Sequence, residues 1–233
     1  MSDIGLSNSV ADGILAILIA IPIGCFIAGF LIGSIPFGYI IGRIVYRTDI
    51  RSQGSGNIGA MNALRTLGKG GAVAVLLLDA LKGFLPTAFV FWFVKTQHLD
   101  LSIDSNFPPG EQILASLAAT GAVLGHCFSP WLRLRGGKGV ATSFGAIFAM
   151  SWQAGLVATA GWLLGAALTG YSSVGSMLGS ILAPFAIWRF TGSLPETAYA
   201  IFAALLILVK HRENIRRLRA GTEGPIRLSK RHT

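Results

Sequence analysis

GVATSFGAIFAMSWQAGLVATAGWLLGAAL, residues 139–168, is an almost unbroken apolar run of 30 residues. A bilayer takes about 20 residues per helical span. The run is therefore one oversized span or two short ones, and the polar interruption Ser151-Trp152-Gln153 marks where two helices would turn. The choice decides whether the last two cationic clusters of the chain lie on one side of the membrane or on opposite sides. Lys and Arg collect on the cytoplasmic side, which selects two short helices. The resulting expectation is an all-α integral membrane protein of seven transmembrane helices. Its N-terminus is outside, its C-terminus is cytoplasmic, and short interfacial helices lie in the cytoplasmic loops.

The remaining apolar runs fall at about 13–42, 70–94, 112–132, 173–190 and 196–211. Composition agrees: 52% of the 233 residues are hydrophobic and 12% charged, against about 25% charged in a soluble domain. In the seven-helix arrangement, sixteen of the 19 Lys and Arg residues fall inside, leaving Lys95 and Arg189 outside and Lys82 in a span. Six of the ten acids fall outside. The N-terminal lead has no Lys or Arg before Arg43; a secretory signal needs a positive n-region, so the first run is expected to remain as a membrane helix. Residues 1–233 read as a single polytopic domain with flexible ends at about 1–12 and 225–233. Cys25 and Cys127 stand in apolar stretches with no metal-site or disulfide spacing, and no internal repeat of the transporter kind is visible.

Gly54, Gly56 and Gly59 in QGSGNIGAMN, residues 53–62, have the spacing of a dinucleotide fingerprint, and Asp79 follows at the distance of a ribose-binding acid. That fingerprint needs a strand before the glycines and a helix after them in a soluble βαβ unit. Here RIVYRTDIRSQ precedes them as the polar exit of a membrane helix, and Asp79 lies well inside the second span. A dinucleotide fold is excluded. An acid within a span is costly and normally paired; Lys82, three positions on, shares its helix face and is the expected partner.

Three clusters fall on the cytoplasmic side. In GSGNIGAMNALRTLGKG, Ser55 or Asn57 is expected to cap a short helix ending near Gly68, with Asn62 and Arg65 on one face. The glycines allow close backbone approach to an anion at a helix start. RLRGGKGVATSFG, 133–145, resembles a P-loop but lacks the first Gly, since Leu132 stands there, and the Ser or Thr after the lysine, where Gly139 stands. Lys138 between Gly136, Gly137 and Gly139 at a helix start remains a good phosphate site. In KHRENIRRLRAGTEG, 210–224, Arg216, Arg217 and Arg219 suit contact with acidic headgroups. His211 and Asn214 share a helical face, and Glu213 is expected to pair with Arg217. Cations, amides and glycine backbone with few acids are the chemistry of phosphate or oxyanion recognition, not of a two-metal or paired-carboxylate hydrolase.

These clusters, with GSIPFGYIIGR, LDALKG and GHCFSPWLRLRGGKGVATSFG, resemble in order and spacing the bacterial acyl-phosphate-dependent glycerol-3-phosphate acyltransferases, the PlsY family, over about residues 29–224. The resemblance implies seven membrane helices in the bacterial inner membrane and an active site on the cytoplasmic face. It implies transfer of a fatty acyl group from a long-chain acyl phosphate to the 1-hydroxyl of glycerol 3-phosphate, the first acylation of phospholipid synthesis. It also implies contact with membrane lipids and a functional link to the soluble enzyme that makes acyl phosphate, with no cofactor, metal or nucleic acid. By resemblance, Ser55, Arg65, Lys138, His211 and Asn214 are the catalytic positions. Gly54, Gly56, Asn57, Asn62, Gly136, Gly137 and Gly139 are expected to bind substrate. The H-x-x-x-x-D motif of other glycerol-3-phosphate acyltransferases is missing: Ile103, Trp131 and Arg216 stand five positions after His98, His126 and His211. The competing class, a transporter of phosphorylated small molecules, would place its site near the midplane, whereas these clusters gather at one face.

Overall fold

A computed structural model describes residues 8–99, 101 and 108–226. The expected flexible ends fall largely outside the described residues. Within them the chain is helical, with no strand. The long helices are α1 (Asn8–Ser34), α4 (Gly68–Thr96), α5 (Gly110–Cys127), α7 (Trp152–Thr169), α8 (Ser172–Thr191) and α9 (Leu194–Lys210). Shorter ones are α2 (Phe37–Ile44), α3 (Ala60–Thr66), α6 (Val140–Met150) and α10 (Arg212–Arg219). Four segments are long and apolar enough to cross a membrane: Ile19–Ile44, Gly68–Thr96, Gly110–Leu132 and Ser172–Thr191. A fifth counts if α9 and α10, bent by 52°, form one span.

The first apolar run is divided at Pro36, which has no N–H to continue a helix. Its neighbours' backbone groups are met elsewhere: the Ser34 carbonyl accepts from Ser129 Oγ at 2.7 Å and the Ile35 carbonyl from Lys82 Nζ at 2.8 Å. The run at 139–168 divides at Ser151, whose backbone is extended (φ −153°, ψ 116°) and whose Oγ accepts from Ala154 N–H at 3.2 Å to cap α7. The two helices form a hairpin. α6 starts beside Lys138, while α7 ends at Gly170, whose carbonyl accepts from Ile226 N–H. Glu223, three residues before Ile226, is joined to Lys138 through Asn214.

Helices pack through small residues, which let backbones approach closely where lipid gives no hydrophobic drive between helices. Gly29 and Gly33 of α1 face the Ala118 and Ala122 backbone of α5, and Gly121 and Gly125 return the contact against Phe26 and Phe30. A Cβ at any of the four would collide with main chain. Val123, Ile147, Ile187 and Tyr199, from α5, α6, α8 and α9, form a buried core. Leu85, Phe89, Trp92, Phe185, Trp188 and Leu205 are exposed, as expected of a surface solvated by lipid tails.

Candidate active site

The three sequence clusters converge on one cavity of about 650 Å³. Ser55, Asn57, Asn62 and Arg65 line it from the first, Lys138 and Gly139 from the second, His211, Asn214, Glu223 and Gly224 from the third. Val73, Leu76, Phe144, Phe148 and Trp162 of α4, α6 and α7 extend it as an apolar slot. Phe148 is nine residues beyond Gly139 along α6, about 13 Å at 1.5 Å per residue. The cavity is therefore polar at the start of α6 and apolar at its far end.

The first cluster is a loop held by one amide. Gly54 and Gly56 have φ of +59° and +69°, which side-chain-bearing residues rarely adopt. Asn62 Oδ1 accepts the Ser55 N–H at 2.8 Å, and its Nδ2 donates to the carbonyls of Ile50 and Asn57 at 2.8 Å and Gln53 at 3.2 Å. Asn62 is 2% exposed and its polar valences are spent on the loop, so it organises the site where direct substrate binding was expected. Neither Ser55 nor Asn57 caps α3. Gly59 is the N-cap residue, with no side-chain bond, and Asn57 Oδ1 accepts the Gly59 N–H at 2.9 Å, one position early. The geometry is an Asx turn. The Ser55 side chain is exposed and its hydroxyl has no hydrogen bond among the described residues. Arg65 Nη2 donates to the Gly224 carbonyl at 3.0 Å.

In the second cluster the expected use of the glycines changes. Gly136 N–H donates to the Cys127 carbonyl at 3.3 Å and Gly137 N–H to that of His126 at 3.0 Å. Both amides are consumed within the protein and cannot also bind a substrate. Glycine is required for packing, since a Cβ on either would strike His126 or Cys127. Gly139, at φ +85°, is the N-cap residue of α6. The N–H groups of Val140, Ala141 and Thr142 fill the first turn, where no helical acceptor exists, and Val140 and Ala141 line the cavity. The helix start expected beside Lys138 is thus present, directly after Gly139. Burial, opposed by Glu223, brings the Lys138 ammonium down to about 8.

His211 stands just past the end of α9, at the bend into α10. Its Nδ1 donates to the Ile207 carbonyl at 2.8 Å, which leaves Nε2 as an acceptor. Burial, then nearby Lys138, lowers this imidazole to about 4, so it is neutral at pH 7. Lys138 Nζ donates to Asn214 Oδ1, and Asn214 Nδ2 to Glu223 Oε1 at 2.6 Å. Glu223, 8% exposed, also accepts from Ser173 Oγ and Arg217 Nε, each at 2.8 Å. Burial raises its carboxyl, but these three hydrogen bonds outweigh that and hold it below the usual range. The expected Glu213–Arg217 pair does not form. Arg216 takes Glu213 at 2.6 Å, because Arg217 points inward to Glu223. Glu223 and Ser173 are the site residues that sequence reasoning missed. Glu223 stood in the quoted GTEG, but nothing local says that the tail folds back.

Asp79 and Lys82 pair as expected, with Nζ 2.8 Å from Oδ1. His126 Nδ1 lies 3.6 Å from the same oxygen. Asp79 and His126 also form part of the cavity wall.

The described residues thus form a helical bundle with membrane-length apolar helices, whose cavity joins cationic, amide-rich groups to an apolar slot. Residues 23–221 match the family described as Glycerol-3-phosphate acyltransferase. Glycerol-3-phosphate acyltransferases of Rhodopseudomonas palustris (strain BisB5) and Nitrobacter winogradskyi are 44% and 48% identical, covering 90% and 86% of this chain and 98% and 94% of their own. Among solved structures, PlsY (YgiH), an integral membrane glycerol 3-phosphate acyltransferase, is similar in its glycerol 3-phosphate form. It has 34% identity and a TM-score of 0.77, covering 88% of this chain and 96% of that one. Its lysophosphatidic acid form gives 0.75 at 33% identity. The chain belongs to the glycerol-3-phosphate acyltransferase family.

Proposed function

We propose that this protein transfers a long-chain acyl group from acyl phosphate to the 1-hydroxyl of glycerol 3-phosphate, releasing lysophosphatidic acid and inorganic phosphate. This is the first acylation of phospholipid synthesis, in the bacterial inner membrane. The observation that carries the reading is the single cavity where Ser55, Arg65, Lys138, His211 and Asn214 meet, continuous with an apolar slot suited to an acyl chain. The hydroxyl oxygen attacks the acyl carbonyl carbon, the bond from that carbon to the phosphate oxygen breaks, and phosphate leaves with the electron pair. Lys138, Arg65 and the first-turn amides of α6 bind the two phosphates. Ser55 and Asn214 donate to substrate oxygens or the developing oxyanion. Phosphate is a good leaving group, and its own oxygen takes the hydroxyl proton. The neutral Nε2 of His211 then serves to orient the hydroxyl, and positioning supplies much of the rate.

In this reading α1 with α2, and α4 to α9, make seven crossings with the N-terminus outside and the active site cytoplasmic. Charge asymmetry and the hairpin of α6 and α7 support it. A soluble enzyme that makes acyl phosphate would supply the donor. The test uses purified protein, glycerol 3-phosphate and palmitoyl phosphate. Equal release of phosphate and lysophosphatidic acid is expected. No turnover, or strict dependence on acyl-CoA, overturns the reading.

A further inference from the structure

Three buried titratable side chains take no part in that chemistry. Asp79 and Lys82 of α4 and His126 of α5 are 1%, 2% and 4% exposed. Replacing a buried ion pair with apolar residues is often neutral or stabilising, and ionisable groups inside a membrane are costly. Joining two helices does not require such a cluster, so what it touches is informative.

Lys82 Nζ links the Asp79 carboxylate to the Ile35 carbonyl at 2.8 Å, pinning α4 to the break between α1 and α2. His126 Nδ1 has no hydrogen-bond partner among the described residues and lies 3.6 Å from Asp79 Oδ1. The carboxylate favours the tautomer with the proton on Nδ1, which sets the ring's orientation. The far tip of the ring, at Nε2, occupies the space a Cβ on Gly137 would need. The His126 carbonyl also accepts the Gly137 N–H at 3.0 Å. His126 thus grips, by ring and by backbone, the residue immediately before Lys138.

We propose that Asp79, Lys82 and His126 form a positioning device for Lys138. Asp79 and Lys82 orient the imidazole, the imidazole fixes Gly137, and this aims the ammonium and the first turn of α6 at substrate phosphate. The proposal rests on the acyl-transfer reading above.

Turnover of glycerol 3-phosphate and palmitoyl phosphate by the wild-type protein is measured first; its absence overturns the acyl-transfer reading itself. Given turnover, His126→Phe keeps a planar aromatic ring, somewhat larger than imidazole, but loses Nδ1–H. It should raise KM for at least one of the two substrates about tenfold, with kcat changed less than about threefold, the size expected when a positioned charge-assisted bond is loosened. The alkaline limb of kcat/KM should also move by about half a pH unit or more, because the ammonium leaves its present surroundings. A folded, active variant with wild-type KM values overturns the proposal. So does a lower kcat/KM whose alkaline limb stays in place, since that marks a merely structural loss. If thermal unfolding in detergent shows that His126→Phe is not folded, Asp79→Asn is judged by the same criteria. If neither folds, the cluster is a folding element and the proposal fails.

Discussion

Two glycine loops meet at this site, and both resemble nucleotide-binding motifs for different reasons. In the loop at 53–59 the glycines serve backbone conformation: Gly54 and Gly56 have positive φ. In the loop at 136–139, Gly136 and Gly137 serve proximity: their backbone lies against the end of α5 with no room for a Cβ. The first loop is exposed, and Asn62 organises it. The second is buried and carries the lysine. The same residue type, read from sequence as one kind of anion cradle, answers to left-handed backbone in one case and to packing density in the other.

The largest effect should come from the buried loop's charge. Lys138→Ala is expected to lower kcat/KM for glycerol 3-phosphate by about 10³, since it removes a charge-assisted phosphate contact in a desolvated site. Steady-state kinetics on the purified protein measures this. A loss below about tenfold would demote the second loop to structure.

Next come the glycines, which separate the two roles. Gly136→Ala should cost about 10² in activity, and Gly136→Asn at least as much, because any side chain strikes the main chain of α5. Gly56→Ala should lower thermal stability by about 1–2 kcal/mol, whereas Gly56→Asn should cost less, because Asn tolerates the left-handed region. A Cβ at Gly56 comes to 3.2 Å from the Arg51 carbonyl, a contact small enough to relax. The same ranking at both positions would break the comparison.

Ser55→Ala is expected to reduce acyl transfer about tenfold without altering the melting temperature, since the hydroxyl is exposed and unbonded among the described residues. Near-normal activity would return the first loop to a plain turn. His211→Ala should weaken the reaction without abolishing it; complete loss with intact glycerol 3-phosphate binding would make His211 a true base.

The smallest effect is a shift in pH dependence. Lys138 is held near 8, below its ordinary value, so its ammonium is present below that pH and lost above it. On the free enzyme, kcat/KM for glycerol 3-phosphate should therefore fall as pH rises through about 8. Glu223 raises the Lys138 value by its charge, so Glu223→Gln should move this limb to lower pH. A pH–rate profile of both proteins checks the sign.

The all-helical, membrane-spanning character was legible because lipid enforces long apolar runs. The break at Ser151 was legible as a polar interruption, whereas the division of the first run at Pro36 emerged only in the structure. That Lys138, His211 and Asn214 would come together was legible too, and all three line the one cavity. Local pattern misassigned Asn62, Gly136 and Gly137. It identified them as polar or flexible, but whether their hydrogen-bonding groups face a ligand or the protein depends on what folds against them. Glu223 escaped because its partners, Ser173 and Arg217, lie 50 and six residues away.

By itself, then, the sequence determined that this chain is a helical membrane protein with three clusters rich in cations, amides and glycine, since hydropathy and charge act locally and add along the chain. Only the tertiary structure decided that the clusters share one cavity with an apolar slot. It also decided that Asn62 builds the loop from within and that the acidic tail returns to meet Asn214 and Arg217. Those outcomes depend on contacts between distant segments, where burial sets which polar groups are consumed and which stay free for a substrate.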